Sequence, residues 1–327
     1  MPAAALTPDS IRGRVLTHDA GPDLRKGTFL DGGEVGRLRL SGIAEIHLAE
    51  LEPGDVHEDQ AARRLAAAVA GPGLRPVEPV QSQVRLLAAQ RGLFRVDQPL
   101  VEALNALPAV SVFTLVDGQA VDAGEEVAGC KVTPVAVSES VVAAAERLAA
   151  QAPALPSVIP FRPLRTAVVV TERLKQRARQ LFITAVSRKL GWYGAELQGV
   201  REVARSPSSV RAAYEAEAGS GADLILFAGA SSIDPLDAAY SELEAAGGEV
   251  LRQGIPAHPG SMLWLGRLGS ATVLGVASCA GFGKNTALDL ILPFVFAYGR
   301  VEAADFARMG YGGLIETSAG RRFPPYD

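Results

Sequence analysis

The stretch ADLILFAGASSIDPLDAAYSELEAAGG, residues 222–248, decides how the second half of the chain folds. LILFA is a short, unbroken apolar run, the texture of a strand buried on both faces of a parallel sheet. Small residues follow at once, from Gly229 to Ser232. The segment after them has helical spacing and ends at Gly247–Gly248, where a helix is commonly closed. A strand, a small-residue loop and a helix in that order form the repeating unit of an α/β sheet.

Working outward, the same unit recurs. TAVVVT (166–171) is a second apolar strand, QLFITAVSRKLGWYG (180–194) is helical, and AELQGVREV (195–203) is a further strand. SPSSVRAAYEAEAGSG (206–221) reads as a capped helix, with Ser206 or Ser208 as the cap, Pro207 in the first turn and Gly219 closing it. EVLRQGI, MLWLGRL and TVLGVAS are strands, and KNTALDLILPFVFAYG is a last apolar helix. The alternation predicts a doubly wound, mostly parallel α/β sheet over residues 161–300. Ligands of such sheets bind beyond the carboxyl ends of the strands.

The proline-rich run QAPALPSVIPFRPLR (151–165) reads as a linker and places a domain boundary near residue 160. Residues 1–160 form a smaller α+β region with short strands, of a barrel-like or sandwich character. There IAEIHLAEL (43–51) reads as a strand, and EPGDVHEDQAARRLAAAVAG as a turn and a helix. Asp55, His57, Glu58 and Asp59 suggest a metal site, but a helix capped by Asp55 with acids in its first turn explains them more simply. Residues 301–327 read as a C-terminal tail.

Composition narrows the class. The chain has 327 residues, is 48% hydrophobic and carries a net charge of −4, which gives no sign of nucleic acid as a partner. Cys130 and Cys279 are too few for a disulfide framework or a four-cysteine zinc site. His18, His47, His57 and His258 are scattered. No run approaches the ~20 apolar residues of a membrane span. The expectation is a cytoplasmic protein with no membrane partner.

Several loops are candidates for chemistry. Gly229, Ala230, Ser231 and Ser232 offer backbone and hydroxyl donors at a helix start, a pattern suited to an anion, while Asp234 and Asp237 either serve that site or cap the helix. GVASCAGFGKNTALDLIL (275–292) looks at first like a nucleotide loop. The pattern G-x-x-x-x-G-K-[ST] ending in Gly283–Lys284 would need glycine at Ser278 and a hydroxyl residue at Asn285, so it fails twice. What remains is a strand, a loop and a helix with Lys284 near the helix start. Cys279 in that loop is either a nucleophile or a packing residue, and no histidine stands near it in sequence. Pro259–Gly260 is a hairpin turn or a pocket wall, beside His258. Arg173, Lys175, Arg177, Arg179, Arg188 and Lys189 are opposed by Glu172 alone over residues 172–189, which is a local positive field or a solvated helix face.

The order of these motifs over residues 165–298 resembles the molybdopterin-binding domain of the molybdopterin molybdotransferase and adenylyltransferase families. LRKGTFL and LEPGDVHEDQAARRLAAAVAGPGLRP resemble a bacterial branch of stand-alone molybdopterin-binding proteins. The resemblance implies a role in molybdenum-cofactor biosynthesis, with molybdate insertion as a transferase activity or with carriage of the cofactor to a molybdenum enzyme. It implies that Gly229, Ala230, Ser231 and Ser232 meet the phosphate of molybdopterin or of its adenylate. Asp234 and Asp237 would take the acidic, catalytic position, with Mg²⁺ or molybdate near them. Thr171, Pro259, Gly260, Ser278, Cys279, Ala280, Gly281 and Lys284 would line the remaining walls. A homo-oligomer is implied as well. The chain departs from the families where TERL (171–174) replaces a TGDE-like motif and where Ala277–Ser278 replaces proline-glycine.

Overall fold

The structure is a computed structural model that describes residues 1–171, 174–229, 234–276 and 285–315. The chain divides into two compact units, Met1–Ile159 and Pro160–Asp327.

In the first unit the strands pair into four separate sheets rather than one barrel. The largest is antiparallel and joins Leu74–Pro76, Gln83–Ala88, Glu126–Val132 and Val110–Thr114 in that order. Helix Glu58–Val69 supplies Ala62, Leu65 and Val69 to a core shared with Leu86, Val112 and Cys130 of this sheet and Val142 of helix Glu139–Gln151. These apolar positions recur at helical spacing, so one face of the helix is removed from water, each large side chain contributing about 1.5–3 kcal/mol. The expected strand 43–51 shortens to Leu48–Glu50.

The cap of helix Glu58–Val69 is a correction to the sequence reading. His57, not Asp55, caps it: Nδ1 accepts the Asp59 N–H at 3.3 Å. Nε2 lies 2.8 Å from the Gly27 carbonyl, so the ring proton belongs on Nε2. Asp55 instead accepts the Glu52 N–H in the preceding turn. Among the described residues no group of three or more His, Cys, Asp or Glu side chains is placed to hold a metal ion.

The second unit is a mixed α/β domain built on a six-stranded sheet. Its elements are β1 (Arg165–Val170), α1 (Gln176–Trp192), β2 (Glu196–Glu202), α2 (Pro207–Ser220), β3 (Leu224–Ala228), α3 (Ala238–Ala245), β4 (Glu249–Arg252), β5 (Trp264–Leu268), β6 (Ala271–Val276), α4 (Ala287–Tyr298) and α5 (Ala303–Arg308). The strand order is β2-β1-β3-β6-β5-β4. Strands β2, β1, β3 and β6 are parallel to their neighbours in that run, whereas β5 is antiparallel to both β6 and β4.

Burial follows from position in the sheet. Strands β3 and β6 lie inside it and are buried throughout, while edge strand β2 is largely exposed. Ala167, Val169, Ile225, Phe227 and Val273 point to one face, against Val210 and Tyr214 of α2 and Ala239 and Leu243 of α3. The alternate residues Val168, Val170, Leu224, Leu226 and Leu274 are buried as well, so both faces of these strands are covered.

Helix α2 starts as expected, with Ser206 accepting the Ser209 N–H and Pro207 in the first turn. Its end is a second correction: Gly219 lies inside the helix, and Gly221 adopts the left-handed conformation at φ +73° that closes it. The segment expected as a tail contains α5, whose Phe306 is fully buried, up to Ile315. Residues 316–327 lie outside the described residues. No described helix is long and apolar enough to cross a membrane.

Candidate functional site

The sheet register sets the ends of three strands level, and each of them leads in sequence into one of the candidate loops. Val170 pairs with Ala228, and Ala228 with Val276, so β1, β3 and β6 end level with one another. From β1 the chain crosses to β2 on one side, and from β3 it proceeds toward β6, β5 and β4 on the other. The order therefore reverses between β1 and β3. In α/β sheets, connections that leave such a point in opposite directions open the crevice in which ligands bind.

Thr171 and Gly229 stand at this reversal. Thr171 is buried; its N–H donates to the Ala228 carbonyl at 2.9 Å and its Oγ1 donates to the same oxygen at 3.3 Å. Gly229 has φ +106°, a backbone that side chains with a Cβ rarely adopt, so a glycine is what lets the chain leave β3 at this angle.

The two acids divide their work. Asp234 is exposed; its Oδ1 accepts the Leu236 N–H at 3.0 Å and its carbonyl accepts the Asp237 N–H at 3.1 Å, a turn that leads into α3. Asp237 is the cap of α3, and its Oδ1 accepts the Ala239 N–H at 2.9 Å. Its Oδ2 is ion-paired with Arg205. Nearby, the Tyr214 hydroxyl donates to the Ala239 carbonyl, and burial first, then the Asp237 charge, push its pKa well above the usual tyrosine range. The capping reading of Asp237 is thus what the geometry contains, with an added arginine partner.

Pro259 and Gly260 meet the start of α4. The Pro259 carbonyl accepts the Ala287 N–H at 2.8 Å, and Gly260, at φ +106°, lies against Thr286 and Ala287. Thr286 caps α4 by a reciprocal box, donating its own N–H to Asp289 and accepting from Leu288. Asp289 also pairs with Lys189 of α1 at 2.8 Å. His258 uses its backbone to bind the Gly313 carbonyl and the Ile315 N–H. Ala230, Ser231, Ser232, Ser278, Cys279, Ala280, Gly281 and Lys284, like Glu172 and Arg173, lie outside the described residues.

Of the basic run, Arg179 pairs with Glu202 and Lys189 with Asp289, while Lys175, Arg177 and Arg188 make no ion pair among the described residues. The site also holds residues that the sequence reading did not select. A cleft of about 840 Å³ opens at the ends of β1 and β2, lined by Thr171, Leu174, Glu202, Val203, Arg205 and Ser206 among others. Arg205 and Ser206 lie between the end of β2 at Glu202 and the start of α2 at Pro207. An arginine at the carboxyl end of a strand, next to a serine-proline helix start, is the signal that could have picked them out.

No protein-family model matches the sequence, and no curated protein matches it. Solved structures do. The molybdopterin biosynthesis enzyme MoaB of Thermus thermophilus matches 40% of this chain and 91% of its own length, at 16% identity and a TM-score of 0.32. A molybdopterin biosynthesis protein of Mycobacterium abscessus matches 40% of this chain and 94% of its own, at 16% identity and a TM-score of 0.28. The molybdopterin biosynthesis MoeA protein of Pyrococcus horikosii matches 74% of this chain and 79% of its own, at 17% identity and a TM-score of 0.31.

Proposed function

We propose that the chain is a molybdopterin-binding protein of molybdenum-cofactor biosynthesis, and that it holds the pterin at the carboxyl ends of β1, β3 and β6. The observation that carries this reading is the level register of those strands, with Val170, Ala228 and Val276 paired across the sheet just before the TERL, GASS and third-loop segments of the sequence. The motif order over residues 165–298 is the other support. A phosphate monoester needs N–H donors, positive charge and a helix start; the end of β2 offers Arg205 and the N-terminus of α2.

Two versions of the reading differ in chemistry. In the first, the protein inserts molybdate into the adenylated pterin, with Asp234 as the exposed carboxylate near the reacting groups and a Mg²⁺ ion as its companion. In the second, it carries the cofactor without turnover and hands it to a molybdenum enzyme. The engagement of Asp237 with both the α3 cap and Arg205 favours the second, because that carboxylate already has partners.

The test begins with the purified full chain, oxidised and examined for pterin fluorescence, and then with uptake of added pterin. Protein that carries none and takes up none sinks the reading. Molybdate-dependent release of nucleotide from the adenylated pterin, lost in Asp234→Ala, marks the inserting version. Tight binding with no turnover, unchanged in Asp234→Ala, marks the carrier.

A further inference from the structure

The cleft at the ends of β1 and β2 has one feature built from two separate parts of the chain. Arg205, just beyond β2, reaches across to Asp237 at the cap of α3, thirty-two residues on. The pair is asymmetric: the Asp237 side chain is 4% exposed, and that of Arg205 is 48% exposed. The carboxylate is sunk in the fold and fixed at Oδ1 by the Ala239 N–H, while the guanidinium stands half in solvent on the cleft wall. A buried, hydrogen-bonded anchor under a half-exposed guanidinium removes much of the side-chain freedom that an arginine otherwise loses on binding. Ser206, next on the wall, caps α2, a helix of fourteen residues whose positive end faces the same place. Among the described residues of this wall the one acid, Glu202, is ion-paired with Arg179.

We propose that Arg205, held in position by Asp237, is the residue that grips the anionic group of the ligand, a phosphate monoester or a pyrophosphate, in the cleft beside Thr171. Arg205 is a binding residue, because it touches the ligand; Asp237 is a positioning residue, because it acts through Arg205. The identity of the ligand as a pterin phosphate rests on the function proposed above, whereas the anion class rests on the cleft itself.

Equilibrium dialysis of the full chain tests this with oxidised molybdopterin carrying its phosphate, the same pterin after phosphatase treatment, and inorganic pyrophosphate. The unaltered chain is expected to prefer the phosphorylated pterin over the dephosphorylated one. Arg205→Ala and the near-isosteric Arg205→Gln are expected to weaken phosphorylated pterin and pyrophosphate roughly tenfold to a hundredfold, the scale of one charge-assisted pair, and to leave the dephosphorylated pterin unchanged. Arg205→Lys should recover part of the loss. Asp237→Asn keeps a side-chain oxygen for the α3 cap, so it should keep its far-ultraviolet dichroism and still lose affinity for the phosphorylated ligand. Folded Arg205 variants that bind both anions like the unaltered chain overturn the assignment, and Asp237→Asn with full affinity overturns the positioning role. Pyrophosphate uptake that depends on Arg205 without any pterin uptake keeps the assignment and removes the pterin. Pterin uptake indifferent to Arg205 does the reverse, and a chain that takes up none of the probes loses both.

Discussion

The Pro259 carbonyl accepts the Ala287 N–H at 2.8 Å, which ties the proline-glycine loop between β4 and β5 to the first residue of α4. Gly260 completes the joint: a Cβ there would lie 2.8 Å from the Ala287 nitrogen and 2.9 Å from its Cβ. The loop between β4 and β5 is thus joined to the start of α4, more than twenty residues further along the chain. The atoms met are the Ala287 nitrogen and Cβ atoms fixed to the backbone, so no side chain can swing away to relieve the contact.

Gly260→Ala is therefore expected to destabilise the second unit by about 2–4 kcal/mol, from the left-handed backbone at φ +106° together with the overpacked contact. Urea unfolding measures it. A loss under about 0.5 kcal/mol, the range of an ordinary surface change, would show that the joint is loose.

A different close approach governs the sheet. Trp264 on β5 pairs across the ladder with Gly275 on β6, and its indole occupies the space a Cβ at 275 would need. Gly275→Ala is expected to cost roughly 3 kcal/mol or more, because both partners are buried in the middle of the sheet. The Trp264 Nε1 has no hydrogen-bond partner among the described residues. Trp264→Phe therefore forfeits no hydrogen bond and should cost well under the roughly 3–5 kcal/mol of a truncation to alanine. In the double variant Gly275→Ala/Trp264→Leu the two losses should not add, since the smaller side chain relieves the clash. Additive losses by thermal unfolding would contradict the contact.

These residues show what was legible in the sequence. Strands β1 and β3 were readable because a strand enclosed by parallel neighbours has no wet face, and TAVVV and LILFA show none. The level of their ends was not readable, because register depends on pairing rather than on any residue. Gly219 and Gly221 are both glycines in one GSG run, and only the backbone angle separates the one inside α2 from the one that ends it. His57 displaced Asp55 as a cap because its ring is fixed from the far side by the Gly27 carbonyl, thirty residues away. Arg205 was missed for the same kind of reason: its role depends on Asp237, a partner met only after β3 and α3 are in place.

The Arg64 network sets an acid limit on the first unit. Arg64 bonds Glu139 at 2.6 Å and Glu146 at 2.8 Å, linking helix Glu58–Val69 to helix Glu139–Gln151. The Arg64 hydrogen bonds hold both carboxyl groups below the ordinary 4.5. A depressed folded value means that the unfolded chain binds protons first, so the contribution is complete above 4.5 and is lost as pH falls through the folded values. The thermal midpoint should fall as pH drops below 4.5, and Arg64→Met should flatten that fall while lowering the midpoint at neutral pH. Equal acid slopes in the two proteins would remove the network from the account.

Cys130 offers a test that needs no ligand. It sits in strand Glu126–Val132, fully buried in the core beneath helix Glu58–Val69, and burial pushes its thiol up to about 12. The thiolate is the species that attacks a disulfide reagent. With Cys279→Ser, Cys130 is the one cysteine left in the chain. That variant should give no reaction with a chromogenic disulfide at mildly alkaline pH while it is folded, and one thiol per chain once denaturant opens the first unit. The rate of reaction should then follow the unfolding of helix Glu58–Val69, since the sulfur becomes reachable only when that helix leaves the sheet. Prompt reaction of the native variant would show that the core around Cys130 opens without unfolding.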